Sequence, residues 1–346
     1  MTHIHAPSAS FGDPALREAV AAALEDVALS SSHDDLPALA RQHWQLATEM
    51  GWTAALVPEH QGGLALGMGF AADLCEEAGR HLFCGPLAET AVLLPALARE
   101  TKQFEELLPS VASGAVRLAY AEPDRLDGTT VSALAEHALE ATHFIFVHQR
   151  EEDLAILLAP AGSVAVSLLQ PMDPSSTVGR AELANPRDCI SHVLDATAAR
   201  RVLAALHIAV AADLLGVGEA ALARTVTHVL ERKQFGQQIG RFQGIKHRLA
   251  DVHTALAAAR LAVARAIGAN ACFEDARHAR ILAADAATRA AAAAVQLHGG
   301  LGFSWELELH FYLKRSRRLN ARNGGTIPLR AAAGESIIAA ALAASA

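Results

Sequence analysis

Between Ala199 and Glu231 nothing in the sequence stops a helix except Gly216 and Gly218. Two further stretches share this character, FQGIKHRLADVHTALAAARLAVARAIGAN and HARILAADAATRAAAAAVQLHGG. Wide alanine faces let long helices approach closely, so the chain from Ala196 onward is expected to form a helical bundle that doubles as an oligomer interface. Hydrophobic content is 52% with only 5% aromatics, so alanine and leucine carry the burial.

The pattern ahead of this bundle changes twice. Residues 1–12 are expected to form a flexible N-terminus, because MTHIHAPSAS lacks the apolar core of a signal peptide. Over 13–112 apolar residues recur at helical spacing, as in LPALARQHWQLATEMGW and GFAADLCEEAGRHL, with Pro58 and Gly62–Gly63 breaking the run. Over 113–195 short runs rich in β-branched or aromatic residues (VRLAYAEP, THFIFVHQ, LAILLAP, SVAVSLLQP, CISHVLD) read as a small antiparallel sheet domain. The fold class is therefore α+β, mostly α, with 196–346 as the C-terminal helical bundle.

Composition narrows the function. A net charge of −8 gives no electrostatic reason to expect nucleic acid or an anionic membrane. No segment reads as a membrane span, since the apolar runs are short or interrupted by charge. Cys75, Cys84, Cys189 and Cys272 are scattered, which points to reduced thiols in a cytoplasm. The 17 histidines include no HExxH, so no metal site is expected. The basic run Lys314, Arg315, Arg317, Arg318 reads as a solvated helix face.

Two constellations carry chemistry. In ERKQFGQQIGRFQ, Arg232 ends a helix, Phe235 and Gly236 make a turn, and Gln237 and Gln243 offer amides. An arginine beside an exposed ring can grip a pyrophosphate and stack an adenine, although such a segment is also an ordinary helix end. In QLHGG, Gln296 can read an amide-like edge, and Gly299 and Gly300 allow close approach of a phosphate. A glycine C-cap is the plain alternative.

In this order, separated by two long helices, the segments resemble the acyl-CoA dehydrogenase family; WTAALVPEHQGGLALG is similar to that family's G-W-x-x-x-x-x-P-E-x-x-G-G segment. The resemblance covers nearly the whole chain. It implies an N-terminal helical domain, a central β-domain and a C-terminal four-helix bundle. It also implies 2,3-desaturation of an acyl-CoA thioester, with a glutamate taking the α proton and FAD the β hydride. Electrons would leave through an electron-transfer flavoprotein.

The glutamate is missing. Aligned with the family's Y-E-G-T turn, it falls on Asn323 or Gly324; the alternative location early in the bundle falls on Leu206, beside His207. Of the family's flavin-covering T-E-x-x-x-G-S-D strand, YAEPDRLDGTT keeps only Glu122 and Pro123, and the central domain looks shortened. In family dimers the Arg/Phe and QxxGG segments serve the neighbour's FAD, whereas the glutamate and β-domain strands act on the chain's own flavin. The favoured expectation is a non-catalytic subunit that lends Arg232, Phe235, Gln243, Gln296, Gly299 and Gly300 to FAD held by a catalytic acyl-CoA dehydrogenase subunit. One alternative is a homomeric flavoenzyme with a relocated base, drawn from Asp213, Glu219, Glu306, Glu308 or His207. The plain readings of these are solvated or capping groups, salt-bridge partners of nearby arginines, and a packed histidine. The other alternative is a flavin-free scaffold.

Overall fold

A computed structural model describes residues 9–27, 36–123, 126, 130–150, 153–268, 272–304 and 307–345. In chain order the helices α1 (Pro14–Glu25), α2 (Leu36–Glu49), α3 (Gly67–Arg80), α4 (Leu94–Glu100), α5 (Lys102–Glu105) and α6 (Leu108–Ala112) come first. Strands β1 (Leu118–Ala121), β2 (Val131–Glu136), β3 (His143–Arg150), β4 (Asp153–Pro160), β5 (Val164–Leu169), β6 (Val178–Leu183) and β7 (Ile190–Leu194) follow. Then come α7 (Ala196–Glu231), the short strands β8 (Lys233–Gln234) and β9 (Gln237–Gln238), α8 (Gln243–Ile267), α9 (Phe273–His298), α10 (Leu309–Ala321) and α11 (Thr326–Ala344). The chain divides into two compact units. One holds α1, residues 72–82 and everything from His207 on; the other holds 34–71 and 83–206.

In the second unit the strands make a seven-stranded sheet in the order β5-β6-β2-β1-β3-β4-β7. It departs from the expected antiparallel sheet at one pair: β1 and β3 run parallel, Leu118 opposite His143. β2 doubles back beside one edge of β1, so β3, arriving at the opposite edge, runs in β1's own direction. Two strands, β2 and β6, went unread in the sequence. β2 (VSALAE) is carried by Ala, Ser and Glu and β6 (VGRAEL) by Gly, Arg, Ala and Glu, which have little preference for strands; burial alternates along them, with Ala133, Ala135, Ala181 and Leu183 inward. Phe144 and Phe146 join that core, their rings 6.5 Å apart. The expected break at 58–63 is a short 3-10 turn closed by Gly62 at φ +83°. A Cβ at Gly63 would sit 2.0 Å from the Val57 carbonyl oxygen.

The first unit is helical. α7 runs unbroken for 36 residues through Gly216 and Gly218. Those glycines are there for contact: a Cβ at Gly216 would lie 1.8 Å from the Glu76 carbonyl oxygen, and one at Gly79 2.0 Å from that of Asp213. α3 and α7 therefore cross backbone to backbone. Gly218 sits against Ala287 of α9, whose inner face is almost all alanine. α11 lies on α9, where Arg277 donates to the Ala332 carbonyl at 3.0 Å and Arg330 pairs with Asp285. Two helices, Ala196–Glu231 and Thr326–Ala343, are long and apolar enough to cross a bilayer; 89% of the first one's apolar window is buried inside the protein and 11% of the second's.

Residues 9–12 are not a loose end. Asp73 accepts hydrogen bonds from Ser10 Oγ and from the backbone N–H groups of Phe11 and Gly12. Arg260 donates to the Ala9 carbonyl at 2.7 Å and lies over the Phe11 ring. Behind this strap, Arg17, Arg80 and Arg260 converge on Glu76, at 2.5, 3.1 and 2.5 Å.

Candidate functional site

The first candidate segment is built by a tight hairpin. α7 ends at Glu231, and the Arg232 N–H donates to the His228 carbonyl at 2.8 Å, closing the last turn. Pairing of Lys233 with Gln238 and Gln234 with Gln237 leaves Phe235 and Gly236 as the turn, at φ +52° and +79°. Two positive φ angles are what a two-residue hairpin turn needs, and Gly236 suits them at no steric cost. Phe235 does not, because a Cβ-bearing residue is uncommon there. Its ring is 90% exposed and touches only the edge of Phe242, at 6.2 Å. Arg232 and Gln243 are exposed as well; Gln237 is half-buried.

The second segment closes α9. Gly299 caps the helix at φ +63°, so the plain C-cap reading holds for this residue. It does not account for Gly300, which has no positive φ and where an added Cβ would meet nothing within 4 Å. Gly302 is different: its Cβ would lie 2.5 Å from the Val295 carbonyl oxygen, so packing alone requires it. Gln296, Gly299 and Gly300 are exposed.

The two segments meet. His228, one turn before Arg232, stacks on His298, which directly precedes Gly299, with ring centroids 3.9 Å apart. The fold thus joins the ends of α7 and α9, which lie far apart in sequence. The result is an exposed set of a guanidinium, an unpaired aromatic face, two side-chain amides and an open glycine pair. Such a set fits the adenosine-diphosphate half of a flavin dinucleotide, which needs anion donors, close backbone approach and a stacking surface. The sequence reading assigned no role to either histidine: His298 is the middle residue of QLHGG, where the glutamine and glycines drew the argument, and His228 lies one turn ahead of the ERKQFGQQIGRFQ segment.

The positions aligned with the absent base hold none. Leu206 is buried, and Gly324 lies in a 3-10 turn spanning Arg322–Gly324. The Asn323 side chain lies outside the described residues. His207 is a packed histidine: burial, then the nearby Arg280 and Arg277 charges, push its pKa down to about 3. Its Nδ1 has no hydrogen-bond partner.

The remaining carboxylates are engaged, and not as solvated or capping groups. Asp213 is buried and takes both Nε and Nη2 of Arg315, at 2.9 and 2.7 Å. This also corrects the reading of 314–318 as a solvated face: α10 turns Arg315 inward, where its charge needs a buried partner. Glu219 accepts from Arg80 at 2.6 Å and Arg260 at 2.9 Å. Burial would raise its pKa, but Arg80 and Arg260 outweigh that and hold it at about 2. Glu308, just ahead of α10, pairs with Arg224 of α7 at 3.7 Å. Glu306 lies outside the described residues, as does most of 124–129 after Pro123, whose carbonyl meets His148 Nδ1 at 3.0 Å.

The other unit has a cleft lined by Trp44, Arg117, His137, Glu140, Ser175 and Thr177 among others. The Arg117 guanidinium stands 5.5 Å over the Trp44 ring. None of the predicted site residues lines it.

Comparison with known proteins bears on the whole chain. The model "Acyl-CoA dehydrogenase, C-terminal domain" matches residues 196–331. The sequence is 32% identical over 280 residues to acyl-CoA dehydrogenase IpdE2 of Mycobacterium tuberculosis, covering 79% of each chain. It is 29% identical over 278 residues to its namesake in Mycolicibacterium smegmatis. Among solved structures, a variant of the Tcur3481–Tcur3483 steroid ACAD superposes with a TM-score of 0.81 at 24% identity, covering 95% of this chain and 98% of that one. The ChsE4–ChsE5 complex of Mycobacterium tuberculosis gives 0.78 at 22% identity, covering 98% and 99%.

Proposed function

Because the chain belongs to the acyl-CoA dehydrogenase family, FAD-using oxidoreductases acting on CH–CH bonds, we propose that it is the non-catalytic subunit of a heteromeric member. In this reading Arg232 and the Gly299–Gly300 backbone bind the pyrophosphate of FAD, Phe235 stacks on the adenine, and Gln243 and Gln296 orient it. A catalytic partner holds the isoalloxazine ring and supplies the base. The flavin, when bound, supplies a hydride acceptor for the β hydrogen of the acyl-CoA.

The observation that carries the proposal is a pairing of what is open with what is closed. The Phe235 ring is 90% exposed and Gly300, beside the Gly299 cap, has no packing reason to be glycine, while the base positions hold Leu206 and Gly324. Among the described candidates, Asp213 and Glu219 are held in ion pairs and His207 is buried, which supports the non-catalytic reading over a homomeric enzyme with a relocated base.

A bulky cyclic or steroid acyl-CoA as substrate, electron-transfer flavoprotein as acceptor and a cytoplasmic location complete the proposal. The name of the Tcur3481–Tcur3483 steroid ACAD supports the first, and four free cysteines suit the last.

Co-expression with a catalytic family member tests it. Replacing Arg232→Ala should lower the FAD count of the co-purified complex at unchanged subunit ratio; an unchanged count refutes the trans contact. A full flavin complement on this chain purified alone refutes the non-catalytic role.

A further inference from the structure

The His228–His298 stack ties the Arg232 hairpin to the Gly299–Gly300 turn. His298 Nδ1 lies 2.8 Å from the Ala294 carbonyl oxygen. A carbonyl only accepts, so Nδ1 carries the proton and the neutral ring keeps its lone pair at Nε2. His228 in turn bonds the Leu297 backbone. The rings are 24° from parallel at 3.9 Å, a geometry open to neutral imidazoles and poor for two imidazolium ions.

We propose that His228 and His298 form a proton-sensitive positioning pair, which sets the spacing between Arg232 and the Gly299–Gly300 turn and releases it when protonated. The proposal rests on the reading of these segments as a diphosphate site. Position in the chain gives the pair its leverage. His228 accepts the Arg232 N–H through its own carbonyl, and His298 is covalently joined to Gly299. A shift of either ring therefore moves a candidate ligand directly.

Most of the charged groups around the pair oppose its protonation. Toward His228 they are Arg232, which opposes protonation, and Glu231, which favours it; toward His298 Arg224 opposes it. Arg224 is itself shared with Glu308. Burial comes first for both rings, and both pKa values lie below the ordinary histidine value. Near neutral pH the stack is thus uncharged and closed, and it opens as pH falls below about 6.5, where a free histidine takes its proton.

The experiment has two arms on the full chain. Protein labelled at histidine and glycine, without ligand, is titrated by NMR from neutral to acid pH, following the His228 and His298 ring signals and the Gly299 and Gly300 amides. The glycine amides should move with the midpoint of the ring signals, and in His298→Phe, which keeps an aromatic stack without a proton, they should stay still. Glycine amides that ignore the ring titration overturn the proposal whatever the chain binds.

In the second arm, FAD retention by the complex with the catalytic subunit is measured over the same pH range. Retention should fall roughly tenfold in the parent and far less in His298→Phe. Tighter retention on acidification would mean that the imidazolium is itself a phosphate ligand, and would overturn the proposal. A flat Arg232→Ala result beside a positive NMR arm would remove the cofactor reading and leave the coupling standing.

Discussion

Asp213 was a candidate base and is instead half of a buried ion pair, so its replacement separates the two roles. In Asp213→Asn the Arg315 side chain, 4% exposed, loses the opposing carboxylate charge, and the amide offers one acceptor oxygen where the carboxylate gave two. Breaking a buried pair from one side costs about 3–5 kcal/mol, because the remaining charge is stranded in a poor solvent. For a chain of 346 residues the unfolding entropy is roughly 0.7 kcal/mol/K, so a loss of ~4 kcal/mol lowers Tm by about 5–6 °C. Differential scanning calorimetry reads this directly. The double variant Asp213→Leu with Arg315→Met should recover most of the loss, since apolar replacement of a whole buried pair is nearly neutral. The reasoning fails if Asp213→Asn shifts Tm by less than ~1 °C, or if the double variant is as unstable as the two singles added together.

Other outcomes follow from the same contacts. Gly216→Ala should destabilise by about 3 kcal/mol or more, because its Cβ would be driven into the Glu76 carbonyl. Gly300→Ala, open on every side within 4 Å, should leave Tm within about 1 °C of the parent; a large loss would mean a packing role. Glu219 has a folded pKa of about 2, so the stability it contributes is complete above the ordinary glutamate value of 4.5 and is lost as pH falls toward 2. Glu219→Gln should flatten the acid limb of a urea-midpoint profile in that window. His207 is held at about 3, below the ordinary histidine value of 6.5, so its neutral burial costs stability progressively as pH falls from 6.5 toward 3. His207→Gln should reduce that slope; an unchanged slope would refute the burial argument.

The helices were legible for a local reason. α8 and α9 fall within a few residues of the stretches read from periodicity, since spacing of apolar residues and absence of breakers are properties of neighbours along the chain. The strands were legible only where side chains advertise them. β3 and β4 are rich in Phe, Ile and Leu; β2 and β6 are strands because Val131 to Glu136 finds Leu183 to Val178 alongside, a pairing nothing in either segment announces. Gly216 and Gly218 looked like weak points of a helix and prove to be places of close approach, Gly216 to α3 and Gly218 to α8 and α9.

The site divides in the same way. The identities at Arg232, Phe235, Gln296, Gly299 and Gly300, and the lack of a carboxylate at Leu206, Asn323 and Gly324, are facts of the chain and needed no coordinates. What each remaining charged group faces was decided by tertiary structure alone. Asp213 meets Arg315, 102 positions away, and His228 meets His298 across two helices. A charge declares its type in the sequence, but its partner, and so whether it is a base, a strut or a solvated ion, is set by which distant element the packing brings against it.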